Sequence, residues 1–172
     1  MIKLIGIIMT LVACGGIGLF LAHIHENRPR QLYALESAMQ LLETEILYGA
    51  TPLKEAMELV AQTSDPEIAI LFGNTARELS KMEGATAREA WSSAVENFSK
   101  ATILKKEDLK ILQRFGTTLG ISDREDQEKH IRLTKSQLKI AATNAETVAR
   151  KSSAVYRYLG FLGGLFLVLA LY

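Results

Sequence analysis

The chain has 172 residues, 20 basic and 19 acidic side chains, three histidines and one cysteine, which suits a single domain. Lone Cys14 excludes an intrachain disulfide and a cysteine metal cluster. All the acidic residues and every basic residue except Lys3 lie in 23–158, which therefore carries no net charge and offers no electrostatic case for nucleic acid.

The first predicted element is a membrane span. Leu4 to Ala22 runs without a charge and, as a helix, covers about 28 Å, enough for a hydrocarbon core. Gly6, Thr10, Cys14, Gly18 and Ala22 recur every fourth residue and form a small-residue stripe that lets another helix approach. Leu11-Val12-Ala13-Cys14 also fits a lipoprotein cleavage box. Against lipidation, the apolar run continues through Ile17, Leu19, Phe20 and Leu21, and the flanking charges oppose export. His23 and His25 lie two apart, on different faces of a helix, and read as interface anchors rather than metal ligands.

Residues 27–153 then read as an all-α antiparallel bundle. Leu32, Leu35, Met39, Leu42 and Ile46 alternate steps of three and four and mark the buried face of a helix. Glu43 and Glu45 read as its solvated edge. Gly49 suits the left-handed residue that ends a helix, Thr51 an N-cap, and Pro52 the first residue of the next helix. Asp65-Pro66 repeats the cap-and-proline device and opens a helix to about Met82, with Gly73 a weak point inside it. Gly84 closes it. Thr86 with Glu89 forms a capping box for a helix carrying Trp91, Val95 and Phe98.

A further helix from about Lys105 places Leu109, Leu112, Phe115 and Leu119 in the core, and Gly120 stops it. Ser122 with Glu125 makes another capping box. No proline or glycine follows until Gly160, so one helix is expected from Asp123 onward, with Ala142, Ala145 and Ala149 on its inner face. The spacing of Gly49, Gly84 and Gly120 approaches that of a helical repeat array. The aromatic and small residues such a repeat needs at fixed offsets are missing, so a closed bundle is the expected arrangement.

The last element, 154–172, is a second span: Leu159 to Tyr172 carries no charge, and Gly160 and Gly164 make a GxxxG step. Arg28 and Arg30 follow the first span, and Arg150, Lys151 and Arg157 flank the second, against Lys3 alone on the far side. The positive-inside rule puts 23–158 in the cytoplasm. Residues 1–26, 27–153 and 154–172 are thus read as span, bundle and span. His130 with Asp126 one turn before it reads as a surface pair. With no P-loop, nucleophile elbow or His-Glu-x-x-His pattern, no catalytic residue, metal or cofactor is expected.

Several blocks in this order carry a family resemblance: "RPRQL" at 28–32, "EILYGATPLKEA" at 45–56, "EAW" at 89–91, "FGTTLGISD" at 115–123, "QEKHI" at 127–131 and "LGFLGGL" at 159–165. Together they resemble the stage III sporulation protein AB family over essentially the whole chain. That family is in turn similar to the platform (F) proteins of type II secretion. Their Gly-x-Pro-Leu-x-x-Ala segment is echoed by Gly49, Pro52, Leu53 and Ala56, with two residues instead of one between glycine and proline.

The resemblance implies a membrane scaffold on the mother-cell side of the channel complex joining mother cell and forespore. Its implied partners are a secretion-type ATPase (stage III sporulation protein AA-like), other channel components, membrane lipids and further copies of the chain. Platform proteins have two cytoplasmic domains and three spans, so one domain between two spans implies that a comparable platform is built by oligomerising. Gly49, Pro52, Leu53 and Ala56 are the candidate partner contact. The alternative is a lipidated helical binding module outside the membrane, anchored through Cys14; a membrane enzyme is a third reading that lacks a motif.

Overall fold

The computed structural model describes Gly16 and residues 27–81, 86–120 and 124–171, with backbone only for Arg124 and 152–171. Its helices are α1 (27–47), α2 (Leu53–Thr63), α3 (Pro66–Ser80), α4 (Ala87–Ser99), α5 (Lys106–Gly116) and α6 (Arg124–Leu171). Among the described residues there is no strand, as expected of an all-α chain. The chain divides into two compact units, Met1–Pro29 with Thr143–Tyr172, and Arg30–Ala142, and the packing below belongs to the second.

Local chemistry sets the helix starts. The Asp65 carboxylate accepts from the N–H of Glu67 at 3.0 Å, with Pro66 in the first turn. At α4 the capping box is complete: Glu89 N–H donates to Thr86 Oγ1 at 3.3 Å, and Thr86 N–H donates to Glu89 Oε2 at 2.8 Å. At α5 the buried Asp108 carboxylate accepts from the N–H of Lys105 at 2.9 Å. Gly84 and Ser122 lie outside the described residues.

Two expectations around α2 are corrected. Gly49 does not take the left-handed conformation; Ala50 does, at φ 50°. What Gly49 supplies is space, since a Cβ there would sit 2.9 Å from the carbonyl oxygen of Glu45 and 2.7 Å from Thr51 Oγ1. Thr51 does not cap α2. Its hydroxyl donates to the Glu45 carboxylate at 2.9 Å, its N–H donates to the Glu45 carbonyl at 3.1 Å, and Pro52 occupies the N-cap. Thr51 is thus tied back to the preceding helix instead of forward to the next.

Sequence neighbours pack in order, α2 on α3, α3 on α4 and α4 on α5. Their centre is aromatic. Trp91 is fully buried, edge-on to Phe72 at 5.7 Å and to Phe115 at 5.1 Å between ring centroids. Its indole N–H donates to the Leu112 carbonyl at 2.7 Å, so the polar end of the ring is satisfied in the core. A Cβ on Gly116 would lie 2.3 Å from Trp91 Cδ1, so only glycine lets α5 seat against the ring. Gly120, at φ 78°, turns the chain after α5; there a Cβ would meet that of Ala87 at 2.8 Å.

Long-range contacts close the bundle. Gln31 on α1 donates to Glu67 on α3 at 2.6 Å and accepts from Thr102 at 2.8 Å, while Arg30 pairs with Asp65 at 2.9 Å. At the other end of α1, Glu43 reaches α6. Contacts between such distant segments fit a bundle, not a repeat array in which each unit meets only its neighbours. On α6, Ile131, Thr134, Leu138 and Ala142 are all buried, at steps of three and four; Ala145 and Ala149, which belong to the other unit, are buried as well.

Candidate functional site

The strongest candidate is the turn after α1, with the residues that hold it. Leu32, Leu35, Met39 and Leu42 are buried as the helical pattern requires, and Ile46 is half-buried. The register then carries Tyr48 past the last core position, where it is 79% exposed. An exposed tyrosine on a fixed backbone is well suited to anchoring a partner, since its large ring loses few rotamers on binding. Fixation comes from the bonds to Glu45 and from N–H groups of Tyr48 and Gly49, both donated to the Thr44 carbonyl at 3.0 and 3.1 Å.

One turn earlier, Glu43 corrects the sequence reading. It is only 6% exposed, not on a solvated edge. Its carboxylate accepts from Lys135 Nζ at 2.5 Å, Arg132 Nε at 3.3 Å and Gln40 Nε2 at 3.0 Å. Lys135 also donates to Gln40 Oε1, and Arg132 pairs with Glu128. Two cations and an amide around one buried carboxylate satisfy its lone pairs and fix the register of α1 on α6. A signal for this was present: Glu43 stands four residues after Met39, on the inward flank of the apolar stripe.

Beside the turn is a shallow hollow lined by Ile46, Phe115, Thr118, Leu119, Gln127, His130 and Ile131. It gathers three of the sequence blocks, the end of α1, the end of α5 and the start of α6. Of the four residues named as a partner contact, Gly49 and Pro52 are exposed, Leu53 is half-buried and Ala56 is fully buried. Ala56 thus belongs to the core beneath the surface. Tyr48, which periodicity alone did not single out, is the prominent side chain of the group.

Electrostatics here is structural. The Arg30 hydrogen bond, then the Glu67 N–H, hold the Asp65 carboxyl below its ordinary range. The Thr86 N–H, then its hydroxyl, do the same for Glu89. Asp65 in turn holds Arg30 above its ordinary value. Among the described residues no group of three or more His, Cys, Asp or Glu side chains is arranged to hold a metal ion.

Among the described residues no helix is long and apolar enough to cross a membrane. The run from Leu4 to Ala22, with Gly6, Thr10, Cys14, Gly18 and Ala22, lies outside them, as do His23 and His25. Gly160 and Gly164 fall within the helical backbone of α6, and the side chains of that stretch are outside the description.

Comparison with known proteins gives one consistent result. The family described as Stage III sporulation protein AB matches residues 3–172. A curated relative, the Stage III sporulation protein AB of Bacillus subtilis (strain 168), is 37% identical over 171 residues, covering 99% of each chain. A solved structure of a Stage III sporulation protein AB is similar at a TM-score of 0.68 and 37% identity, covering 72% of this chain and 97% of that one.

Proposed function

The chain belongs to the stage III sporulation protein AB family, and from that premise we propose that it serves sporulation as a non-enzymatic membrane platform. In this reading it couples a cytoplasmic secretion-type ATPase to the channel complex between mother cell and forespore. The observation that carries the proposal is the extent of the match: residues 3–172 include both apolar runs as well as the helical bundle. Leu4–Ala22 and 154–172 are the two spans, and the arginines and lysines beside them set 27–153 in the mother-cell cytoplasm. The stripe of Gly6, Thr10, Cys14, Gly18 and Ala22 and the Gly160–Gly164 step pack these spans with each other or with further copies.

Within the bundle, Tyr48, Gly49 and Pro52 form the docking surface for the ATPase. The Glu43 and Glu45 bonds support this assignment, because a surface that transmits force must not yield when loaded. One copy binds weakly, and a ring of copies facing an oligomeric motor gains by avidity. Orientation is tested with Lys81→Cys in a Cys14→Ser background. An impermeant maleimide is expected to label position 81 only after lysis; labelling in intact cells would refute the cytoplasmic placement. For wild-type chain purified from membranes, mass spectrometry is expected to find the N-terminal segment still attached and Cys14 free of lipid. A chain beginning at a diacylated Cys14 would favour the exported, anchored module instead.

A further inference from the structure

We propose that the α4–α5 loop and the first residue of α5 form a contact for anionic lipid headgroups, with Ile103 entering the interface and Lys100, Lys105 and Lys106 around it. The inference rests on the two-span reading above and adds to it a surface that the reading does not use.

Three observations converge on this tip. The first is how Ile103 is presented. Thr102 is held by its hydroxyl, which donates to Gln31 at 2.8 Å and accepts from the N–H of Leu104 at 3.2 Å. Leu104 is buried. Between a tethered residue and a buried one, the side chain of Ile103 is directed outward, and it is 41% exposed. Its exposure therefore follows from a fixed backbone.

The second is charge. Lys100, Lys105 and Lys106 are all exposed, and none has an acidic partner among the described residues. Arg30, Lys54, Lys81, Arg132, Lys135 and Arg150 are each paired with a carboxylate, while Arg88, Lys110, Arg114, Lys129 and Lys151 are also exposed without one among the described residues; what sets the tip apart is that three such lysines lie within three residues of an exposed isoleucine. Some carboxylates near the tip are engaged, with Asp108 taking the Lys105 N–H, Asp65 taking Arg30 and Glu67 taking Gln31, whereas Glu107 and Glu96, the latter four residues before Lys100, are exposed. Three free ammonium groups around one apolar side chain match an anionic headgroup layer over acyl chains, where each cation adds attraction and the isoleucine adds apolar burial.

The third is reach. Thr102 is bonded to Gln31, nine positions after Ala22. With 27–31 helical, the chain from Ala22 to Gln31 can extend at most about 24 Å, whatever path 23–26 takes. A span ending at Ala22 thus limits Gln31, the residue bonded to Thr102, to within that length of the span's end. An acidic protein could also recognise the three lysines, but it would not be held at this place by the chain itself.

The test uses full-length Cys14→Ser protein in nanodiscs, with an environment-sensitive fluorophore attached through Ile103→Cys or, as a control, Tyr48→Cys. Discs contain phosphatidylcholine alone or mixed with phosphatidylglycerol, with spin-labelled lipid as quencher. The expected result is a blue shift and quenching at position 103 in the anionic discs only, both lost in added salt and in the triple variant Lys100→Gln, Lys105→Gln, Lys106→Gln. The probe at 48 should stay in water throughout. A probe at 103 that is as wet and unquenched as that at 48, on protein that remains in the discs, overturns this inference alone. Protein that is stripped from the discs by salt or alkali overturns the two-span reading and this inference with it. Protection of position 103 only when an acidic protein is added, and not by anionic lipid, also overturns it.

Discussion

The α3–α4–α5 region and the α1–α6 pair are held together in different ways. In the first, Trp91 lies between Phe72 and Phe115, and Gly116 is cleared of a side chain so that the ring can seat. In the second, α1 is tied to α6 by a buried carboxylate, Glu43, held by two cations and an amide. Aromatic packing supplies much area but tolerates small slips; a satisfied ionic cluster contributes little net energy but penalises every register except one. The pair that presents Tyr48 is thus built for a fixed alignment, while the aromatic centre is built for bulk stability.

The sharpest way to break this contrast is Trp91→Ala. It should cost about 3–5 kcal/mol by chemical denaturation, since it empties a fully buried site and removes the indole bond to the Leu112 carbonyl. A loss below about 1 kcal/mol would mean that the aromatic centre is not the main store of stability. Next, Glu43→Gln should cost about 1–3 kcal/mol by leaving Lys135 without its carboxylate. The pairwise replacement Glu43→Met with Lys135→Met should recover most of that loss while loosening the α1–α6 alignment, seen as faster hydrogen exchange at 40–48. A double variant as unstable as the single one would show that the cluster supplies bulk stability too.

Smaller effects follow at the helix starts. Thr86→Ala should cost about 1 kcal/mol through loss of the cap. Asp65 and Glu89 are held below their ordinary values of 3.8 and 4.5, so the folded chain binds fewer protons there than the unfolded one. Their contribution is whole above those values and drains as pH falls through the depressed ones. The melting temperature should decline on acidification below 4.5, and slightly less steeply in Thr86→Ala, which loses the hydroxyl bond to Glu89 but keeps the larger cause, the backbone N–H. Smallest is a gain: Gly73→Ala should stabilise by about 0.5–1 kcal/mol, because a Cβ there meets Ala61 at an ordinary 3.7 Å.

These positions also separate what the sequence discloses from what it withholds. Asp65-Pro66 and Thr86 with Glu89 act within one turn of themselves, so both starts were legible. Gly116 was not, because its reason is a ring brought in from another helix. Gly49 was misread because glycine so often takes the left-handed residue; here the constraint was space beside Glu45, and Ala50 took the strained conformation. Glu43 was misread because carboxylates usually face water, and its cations come from α6, far along the chain. The candidate docking turn was legible as a family block, but not the exposure of Tyr48 within it.

The central claim, that this turn docks a motor ATPase, is most directly tested by retention of the purified ATPase on full-length protein in nanodiscs, comparing wild type with Tyr48→Ser. Tyr48 supports no core contact that the fold depends on, being mostly exposed, so the variant should melt as wild type does. The account predicts that wild-type discs retain the ATPase, with modest salt dependence given the uncharged balance of 23–158, and that Tyr48→Ser discs lose most of it. Equal retention by the two, or none by wild type even at high density on the disc, would contradict it.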